Sequence, residues 1–501
     1  MANSRVAVDV GGTFTDVCIM DETTGQIRIE KTASTPDDPM RAIMNGIEQG
    51  EIHLSDVSMF SHGTTVATNA LITRNLPRAA MICTEGFRDV VEIRRANKED
   101  LWDTYKDVAK PYIPRRDRLT VRERVDAEGH VLTDLNEQDA YRVAEILKKR
   151  GVAAIAVCFM NSYVNGTNEQ RMRDILKEVM PDVPVSISSQ IMPEIFEHER
   201  FSTTMANAVV SPVVVDYVGR LADKLADGGY QRELLLLHTG GGVMTTKAVR
   251  DFAARLAGSG IAAGAIASRF IGNLCGYPNT IGFDMGGTST DVSVSYQGEP
   301  RITKDWYIEY GFPIRFPSIE VLTIGAGGGS LAWKDEGGSL RNGPQSAGAD
   351  PGPACYKNGN EIATNTDANV VLGRLGTSLA GGKITLDPAL AEDAVRRSVA
   401  EPFDMELHEA AEAVVRVANA NMGNAVRLLS IARGYDPRDF ALCAFGGAGA
   451  LHGAAVAREL SIPTVIVPAN PGVTSALGCL LVDIQHDFSD SFMRAAEDTD
   501  P

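Results

Sequence analysis

Aromatic residues, paired cysteines and long apolar runs are all scarce in this chain. Phe, Trp and Tyr make up 6% of its 501 residues, and the seven cysteines are scattered without a CxxC pair. This spacing disfavours a zinc knuckle or a disulfide framework and indicates a reducing compartment. No apolar run approaches the ~20 residues that span a bilayer. A strand pattern follows the N-terminal MANS directly, so we expect a cytoplasmic protein without a signal peptide.

Basic charge is also in deficit. The 48 Lys and Arg residues against 65 Asp and Glu residues give a net charge of −17. We therefore expect neither nucleic acid nor a membrane as a partner. A phosphate ligand is not excluded, because it needs only a local nest of backbone N–H groups and a metal ion. Glycine is abundant, at 48 residues, which indicates tight turns where the backbone approaches a ligand.

Short β-branched runs alternate with helical patterns along the chain, which predicts βαβ units and mixed sheets. The opening predicts strands at 6–10, 17–20 and 26–31, followed by a helix at 39–50. Later strands are predicted at 234–237, 281–285 and 441–445, and a long helix at 407–433. The length predicts two or more domains. A cluster of prolines between 181 and 193 places their boundary, so we predict one domain over 1–190 and another over 191–501.

An internal repeat is the most informative feature. Residues 9–17 (DVGGTFTDV) recur as residues 284–292 (DMGGTSTDV), with seven of nine positions identical. Each copy follows an apolar strand and precedes another, so each reads as a β-hairpin with a glycine-rich turn. A pair of tight hairpins with solvated threonines is the alternative without function. Repetition of this extent in two parts of one chain favours a shared ligand.

The composition of the repeat matches the chemistry of a metal-bound polyphosphate. A carboxylate at a strand end can hold hydrated Mg²⁺, which prefers oxygen ligands and keeps several waters. Glycine lets backbone N–H groups approach phosphate oxygens, and threonine hydroxyls donate to the same oxygens. We predict that Asp9 and Asp284 organise Mg²⁺, mostly through water, and that Asp16 or Asp9 orients the phosphoryl acceptor. The predicted phosphate-binding residues are Gly11, Gly12, Thr13, Phe14, Thr15, Gly286, Gly287 and Thr288.

This pattern resembles the two phosphate-binding hairpins of the actin, Hsp70 and sugar-kinase superfamily. In that superfamily a strand, a Gly-Gly turn and a helix hold the nucleoside, and residues 444–453 (AFGGAGALHG) fit this element. The resemblance implies an α/β fold of duplicated ribonuclease H-like domains with mixed sheets and an ATP cleft between them. It also implies that Gly446, Gly447 and Ala448 face the nucleoside.

A finer resemblance is to the hydantoinase A, 5-oxoprolinase and acetone carboxylase β-subunit family, over essentially the whole chain. Besides the hairpins, it is carried by residues 62–70 (HGTTVATNA), 84–89 (TEGFRD), 325–330 (GAGGGS) and 346–356 (SAGADPGPACY). The resemblance suggests a catalytic contact for His62, for which a half-buried histidine beside a capped helix is the alternative. It suggests a nucleotide or substrate contact for Gly327 and Gly328, for which a surface loop is the alternative.

Two departures from the family pattern stand out. Members commonly have Ser-Gly-Pro where this chain has Ser259-Gly260-Ile261, which is expected to alter the turn without removing it. Members are also usually longer, whereas this chain stops soon after Asp483. We therefore expect a C-terminally truncated form.

The resemblance implies a subunit of an ATP-dependent hydrolase that opens a cyclic amide of the hydantoin, 5-oxoproline or lactam type. Phosphorylation of the carbonyl oxygen would activate the amide, after which water attacks and phosphate leaves. The alternative is a β-type subunit of an acetone- or acetophenone-like ketone carboxylase, and a nucleotide switch or a sugar kinase is less well matched. The implied partners are the small-molecule substrate and a second, hydantoinase B-type subunit, in an oligomer.

Overall fold

The strands and helices follow the order that the sequence pattern predicts. The computed structural model describes residues 4–11, 14–35, 38–379, 382, 384–485, 487, 489 and 491. The strands are β1 Ser4–Val10, β2 Phe14–Asp21, β3 Ile27–Ala33, β4 Val57–Gly63, β5 Ala79–Thr84, β6 Arg118–Val121, β7 Arg124–Val125, β8 Val131–Thr133, β9 Ala154–Cys158, β10 Val185–Ile187, β11 Leu234–Leu237, β12 Val243–Thr245, β13 Thr280–Met285, β14 Thr290–Tyr296, β15 Glu299–Pro300, β16 Ile302–Thr303, β17 Ser318–Ile319, β18 Val321–Ile324, β19 Ser330–Lys334, β20 Leu340–Ser346, β21 Ser378–Leu379, β22 Ile384–Thr385, β23 Ala441–Phe445 and β24 Thr464–Ile466. The helices are α1 Pro39–Gln49, α2 Val66–Thr73, α3 Val90–Ile93, α4 Glu137–Arg150, α5 Thr167–Val179, α6 Ser188–Ile191, α7 Glu197–Asp227, α8 Thr246–Asp251, α9 Ser259–Leu274, α10 Asn365–Val371, α11 Pro388–Val395, α12 Glu401–Phe403, α13 Leu407–Leu429, α14 Gly446–Glu459 and α15 Thr474–Leu480.

Two mixed six-stranded sheets carry the repeat. The first has the order β12-β11-β4-β1-β2-β3, and the second runs β15-β14-β13-β23-β24 with β18 also pairing with β14. In each, an antiparallel hairpin is flanked on its first strand by a parallel strand, β4 beside β1 and β23 beside β13. A smaller parallel sheet, β10-β9-β5-β6, packs its own core. The predicted α/β class with mixed sheets is confirmed.

The repeat is preserved in strand register as well as in sequence. In the first hairpin Asp9 pairs with Asp16, and in the second Asp284 pairs with Asp291. A backbone hydrogen bond closes each turn. In the first hairpin Gly11 N donates to the carbonyl of Phe14 at 3.0 Å, and in the second Gly286 N donates to the carbonyl of Ser289 at 2.9 Å. Identical register means that the carboxylates of both hairpins project from equivalent positions.

Helix α9 lies between these two sheets and contacts strands of both. Gly258 has φ +87°, a left-handed conformation that glycine adopts without strain. This residue turns the chain, so α9 begins at Ser259 although the family's proline is absent. Helix α15 crosses α9 so closely that a β-carbon on Gly478 would overlap the carbonyl of Ala263.

The predicted division near residue 190 does not coincide with a division between sheets. Strands β11 and β12, which follow residue 190 in sequence, complete the first sheet beside β4. The boundary therefore stays a prediction about sequence segments. In the part of the chain described above, no helix combines the length and apolar character needed to cross a bilayer.

Candidate functional site

The carboxylates of the two hairpins converge on one face of α9. A β-carbon built on Gly260 would lie 3.3 Å from Asp9 Oδ1, and one built on Gly264 would lie 3.3 Å from Asp284 Oδ2. Residues four apart lie on the same helical face, about 6 Å apart along the axis. Asp9 and Asp284 therefore face the same helix one turn apart, and larger side chains at either glycine would displace them.

Asp9 Oδ1 lies in a cradle that includes two glycines, Gly63 and Gly260. A β-carbon on Gly63 would lie 3.0 Å from this oxygen. This oxygen is inaccessible to solvent and has no hydrogen-bond partner among the described residues. Burial, followed by the negative charges of Asp16 and Asp284, raises the pKa of Asp9 to about 7. A buried carboxylate oxygen without a partner is costly unless a cation or donor binds there.

The second hairpin contributes two further carboxyls with raised pKa values. Burial raises the pKa of Asp284 to about 6, although Ser475 Oγ donates a hydrogen bond of 2.9 Å to its Oδ2. Burial, with a contribution from the charge of Asp284, raises the pKa of Asp291 to about 7. Thr323 Oγ1 donates to Asp291 Oδ1 at 2.5 Å. The two hairpins therefore carry buried acidic groups whose ionised forms lack sufficient compensation.

Asp16 differs because it has a cationic partner. Lys31 on β3 forms an ion pair with Asp16 and donates from Nζ to the carbonyl of Gly472 at 3.1 Å. Burial raises the pKa of Asp16, and Lys31 opposes that rise. Lys31 also lowers the pKa of Asp9 and of Asp284, so its positive charge acts on both hairpins.

The donors at this site fit a hydrated magnesium ion. They are carboxylate oxygens, one of them unsatisfied, and Mg²⁺ binds oxygen while keeping several waters. Within the described ranges, three candidate ligand groups come within 4.8 Å of one another only at Asp126, Glu128 and His130, on the turn between β7 and β8. The hairpin carboxylates are not part of that trio, and the water-mediated binding of Mg²⁺ by Asp9 and Asp284 stays a prediction.

The predicted phosphate-binding residues fall into exposed and buried groups. Gly287 and Thr288 are exposed at the second turn, and Gly286 is partly exposed. Gly11 and Phe14 are partly exposed at the first turn, while Gly12 and Thr13 lie outside the described residues. Thr15 is fully buried and its Oγ1 lies 3.1 Å from Ser34 Oγ. Its hydroxyl is therefore placed to stabilise the hairpin, and its role as a phosphate ligand stays a prediction.

The loop containing Gly327 and Gly328 braces the second hairpin. Gly328 N donates to the carbonyl of Gly286 at 3.0 Å, and Gly329 N donates to that of Gly287 at 2.7 Å. A β-carbon on Gly327 would lie 2.6 Å from the backbone of Gly287. These amides are used within the protein, so a direct nucleotide contact by Gly327 and Gly328 stays a prediction. The glycines of this loop are explained by its close backbone packing against the second turn.

The Gly446-Gly447 turn lies beside Asp284. Strand β23 is parallel to β13, with Phe445 opposite Asp284, and α14 begins at Gly446. Gly446 has φ +83°, and a β-carbon there would overlap Asp284 Oδ1. Gly447 is exposed and Ala448 partly exposed. The helix N-terminus therefore opens next to the second hairpin, where its free N–H groups favour anionic groups.

The His62 ring bonds to Val8 and Tyr217 rather than to a hairpin carboxylate. Its ring is fully buried, with Nδ1 3.1 Å from the carbonyl of Val8 and Nε2 2.8 Å from the hydroxyl of Tyr217. Burial lowers its pKa to about 4, so the ring is neutral at physiological pH. The neighbouring Thr64 instead ties α2 to α9, because Thr64 N donates to Ser259 Oγ at 3.0 Å. A catalytic contact by His62 stays a prediction, and the geometry resembles the alternative of a buried structural histidine.

Sequence reasoning missed Lys31 and Ser475, and it gave no site role to the two cradle glycines, Gly63 and Gly260, although both lie in segments compared with the family. None of them belongs to the repeat, and Ser475 lies 191 residues from its partner Asp284. A signal for Lys31 exists in hindsight, since it is the basic residue on the third strand of the first hairpin unit. For Ser475 the sequence offers no comparable signal.

The fold and site define an α/β protein in which two glycine-rich hairpins each place an aspartate against the same face of one helix. A family model of the hydantoinase/oxoprolinase N-terminal region matches residues 5–180, and a hydantoinase/oxoprolinase model matches residues 200–488. The chain therefore belongs to the hydantoinase/oxoprolinase family, which confirms the resemblance drawn from its motifs.

Characterised relatives extend over most of the chain. The caprolactamase subunit alpha of Pseudomonas jessenii is 36% identical over 96% of this chain and 71% of its own length. The acetophenone carboxylase gamma subunit of Aromatoleum aromaticum is 34% identical over 98% and 69%. Among solved structures, the ATP-dependent caprolactamase of P. jessenii matches with a TM-score of 0.88 at 36% identity, covering 96% of this chain and 71% of that one. Nucleotide-free acetone carboxylase matches with a TM-score of 0.83 at 27% identity, again over 96% and 71%.

Proposed function

We propose that this chain is a subunit of an ATP-dependent hydrolase that opens a cyclic amide, with ATP held between the two hairpins. The observation that carries the proposal is the convergence of Asp9 and Asp284 on one face of α9. One carboxylate comes from each copy of the repeat, and each lies beside a glycine-rich turn. This arrangement suits a metal-bound triphosphate that is contacted from both sides. The relation to an ATP-dependent caprolactamase supports the choice of a cyclic amide.

The proposed reaction overcomes the poor electrophilicity of an amide carbon. The amide oxygen attacks the γ-phosphorus of ATP, the bond to ADP breaks, and the ring nitrogen loses its proton, which leaves an O-phosphorylated imidate. Water adds to the carbon and the nitrogen is protonated. The carbon–nitrogen bond then breaks to give an acyl phosphate and an amine. A second water hydrolyses the acyl phosphate, so ATP, the amide and two waters yield ADP, phosphate and the ring-opened acid.

Most of the predicted site residues have a place in this proposal, whereas His62, Gly327 and Gly328 are given none. Asp9 and Asp284 would hold Mg²⁺ through water, and the bound ion would neutralise charge that develops on the phosphates. Exposed backbone amides of the turns would donate to phosphate oxygens, and Asp16 or Asp9 would orient the phosphoryl acceptor. Gly446, Gly447 and Ala448 would lie along the nucleoside. We retain the predicted actin-type arrangement, with ATP in a cleft between duplicated domains, as part of this proposal.

A ketone carboxylase subunit is the second candidate. The match to the acetophenone carboxylase gamma subunit, at 34% identity, nearly equals the match to caprolactamase. In that reaction ATP would phosphorylate a ketone enol and bicarbonate. The same hairpins would serve both chemistries, because both need in-line phosphoryl transfer beside a metal ion.

We also propose that the chain acts with a second subunit. The relatives named above include the alpha subunit of caprolactamase and the gamma subunit of acetophenone carboxylase. The proposed segments 1–190 and 191–501 would then both belong to the ATP-binding subunit. The two family models, which end at 180 and begin at 200, support that division of the sequence.

Phosphate release separates the two candidates. The chain is incubated with Mg-ATP, alone and together with a hydantoinase B-type subunit. Hydantoin, 5-oxoproline, small lactams or ketones are added separately, each with and without bicarbonate. A cyclic-amide hydrolase releases phosphate with an amide and without bicarbonate, whereas a carboxylase requires both a ketone and bicarbonate. Calorimetric titration with Mg-ATP tests the nucleotide site without any substrate, and absence of binding would refute both candidates.

A further inference from the structure

The third strand distinguishes the two halves of the repeat. In the first sheet β3 pairs with β2, which places Lys31 opposite Asp16. In the second sheet β18 pairs with β14, which places Thr323 opposite Asp291. The two positions are equivalent in register, but only the first carries a cation. The two otherwise equivalent halves of the proposed site therefore differ in charge at this position.

The ammonium group of Lys31 is held beside the first hairpin. It ion-pairs with Asp16, contacts the carbonyl of Gly472, and lies 5.0 Å from the centre of the Phe14 ring at the first turn. Its side chain is 30% exposed, so solvent or a ligand can reach it. Of the ion pairs formed by described residues, the Lys31–Asp16 pair is the one that involves a hairpin carboxylate.

We propose that Lys31 binds the terminal phosphate of the nucleotide and thereby places the transferable phosphoryl group on the side of the first hairpin. This inference rests on the proposed ATP site. The charged side chains of the two repeated segments, Asp9, Asp16, Asp284 and Asp291, are acidic and would repel a triphosphate. A lysine ammonium is a compact charge with three donors, so it can contact Asp16 and a phosphate oxygen together. Thr323 at the equivalent position supplies no charge.

This placement gives the cleft a direction. The terminal phosphate lies near Lys31, Asp9 and Asp16, and the diphosphate lies near the second hairpin and the N-terminus of α14. The phosphoryl acceptor then approaches from the first half. Lys31 forms no covalent bond in this account, since it neutralises charge on the phosphoryl oxygens during transfer.

A purely structural role is the competing explanation. In that case the ion pair would only fasten β3 to β2, and its loss would weaken the binding of every nucleotide alike. Binding of ATP and ADP therefore separates the two explanations, because ADP lacks the terminal phosphate. The chain offers a matched control in Lys106, which forms an exposed ion pair with Glu99 at 2.7 Å.

The test is calorimetric titration of the parent protein and of Lys31→Met, Lys31→Arg and Lys106→Met with ATP and ADP, in the presence of magnesium. We expect Lys31→Met to weaken ATP binding about 10- to 100-fold, as for loss of a hydrogen bond between charged groups, and ADP binding by less than about 3-fold. Lys31→Arg should retain most of the preference for ATP, and Lys106→Met should match the parent. In Lys31→Met the carboxylate of Asp16 is left without its partner, and the double variant Asp16→Asn with Lys31→Met removes that carboxylate. If the loss of ATP binding in Lys31→Met does not come from misfolding, the double variant should show the same loss.

Two outcomes would overturn the inference while leaving the proposed function intact. Either ATP binding is unchanged in Lys31→Met, or ATP and ADP binding fall by the same factor. If the parent protein binds neither nucleotide, the proposed ATP site is wrong and the role of Lys31 is wrong with it.

Discussion

At the residue scale, burial of the Asp9 and Asp284 carboxyls lowers the stability of the folded protein and favours the binding of a ligand. Burial first, and neighbouring charges next, raise the pKa of Asp9 to about 7, so its ionised form is disfavoured in the folded protein without a ligand. Asp284 is raised to about 6 for the same main reason. Groups retained against such a cost are concentrated at functional sites. Removal of the charge should therefore have opposite effects on stability and on ATP turnover.

We expect Asp9→Asn and Asp284→Asn each to lower Mg²⁺-dependent ATP turnover by about 100-fold, the scale on which loss of a transition-state charge partner acts. Both should raise the melting temperature, because the amide avoids burial of a charge. Turnover and calorimetric unfolding are measured on the same preparations, with Asp126→Asn in the exposed trio as the control. Intact turnover in both cleft variants would refute the assignment.

His62 predicts a specific dependence of stability on pH. Burial lowers its pKa from 6.5 to about 4, so the unfolded chain binds a proton in that window while the folded chain does not. Its contribution to the free energy of unfolding is complete above pH 6.5 and is lost as the pH falls toward 4. The loss amounts to about 3 kcal/mol over this window. The free energy of unfolding is measured by urea titration at a series of pH values. It should depend less steeply on pH in His62→Gln than in the parent protein, and an unchanged dependence would contradict this account.

At the element scale, the Gly446-Gly447 turn offers a test with an internal control. An alanine at Gly446 meets both a left-handed φ of +83° and the carboxylate of Asp284, whereas a β-carbon at Gly447 meets no atom within 4 Å. We expect Gly446→Ala to destabilise the protein by about 1–3 kcal/mol and to weaken nucleotide binding. Gly447→Ala should change the free energy of unfolding by less than about 0.5 kcal/mol. Chemical denaturation of both variants checks this, and equal costs would show that the turn is not sterically constrained.

The hairpins were predictable from sequence because the repeat encodes both strand register and turn. Their supports were not. Gly260 and Gly264 matter through their four-residue spacing on α9, which gains meaning only when Asp9 and Asp284 are known to face that helix. Lys31 lies outside the repeated segment. The Gly327 loop stands out in the sequence, but its function as a brace depends on hydrogen bonds to the second turn, such as that from Gly329 N to the carbonyl of Gly287, 42 residues earlier.

At the scale of the whole molecule, α9 and α15 join the two halves of the cleft. Ser475 at the start of α15 binds Asp284 of the second hairpin. At the other end of α15, the carbonyl of Cys479 accepts a hydrogen bond of 2.5 Å from Ser61 on β4 of the first sheet. One short helix therefore contacts the carboxylate of one half and the sheet of the other. Nucleotide binding at either hairpin should consequently stabilise both hairpins.

This connection predicts that Mg-ATP protects both hairpins together. At a concentration 100-fold above its dissociation constant, a ligand that binds only the folded state stabilises it by about 2.7 kcal/mol. Hydrogen exchange should slow in β1–β2 and in β13–β14 to a similar extent on addition of Mg-ATP. In Asp284→Asn the protection should be lost from both hairpins, although the substitution lies in one. Protection that persists in the first hairpin of this variant would mean that the nucleotide is bound by one half alone, and the two copies of the repeat would then not form a single site.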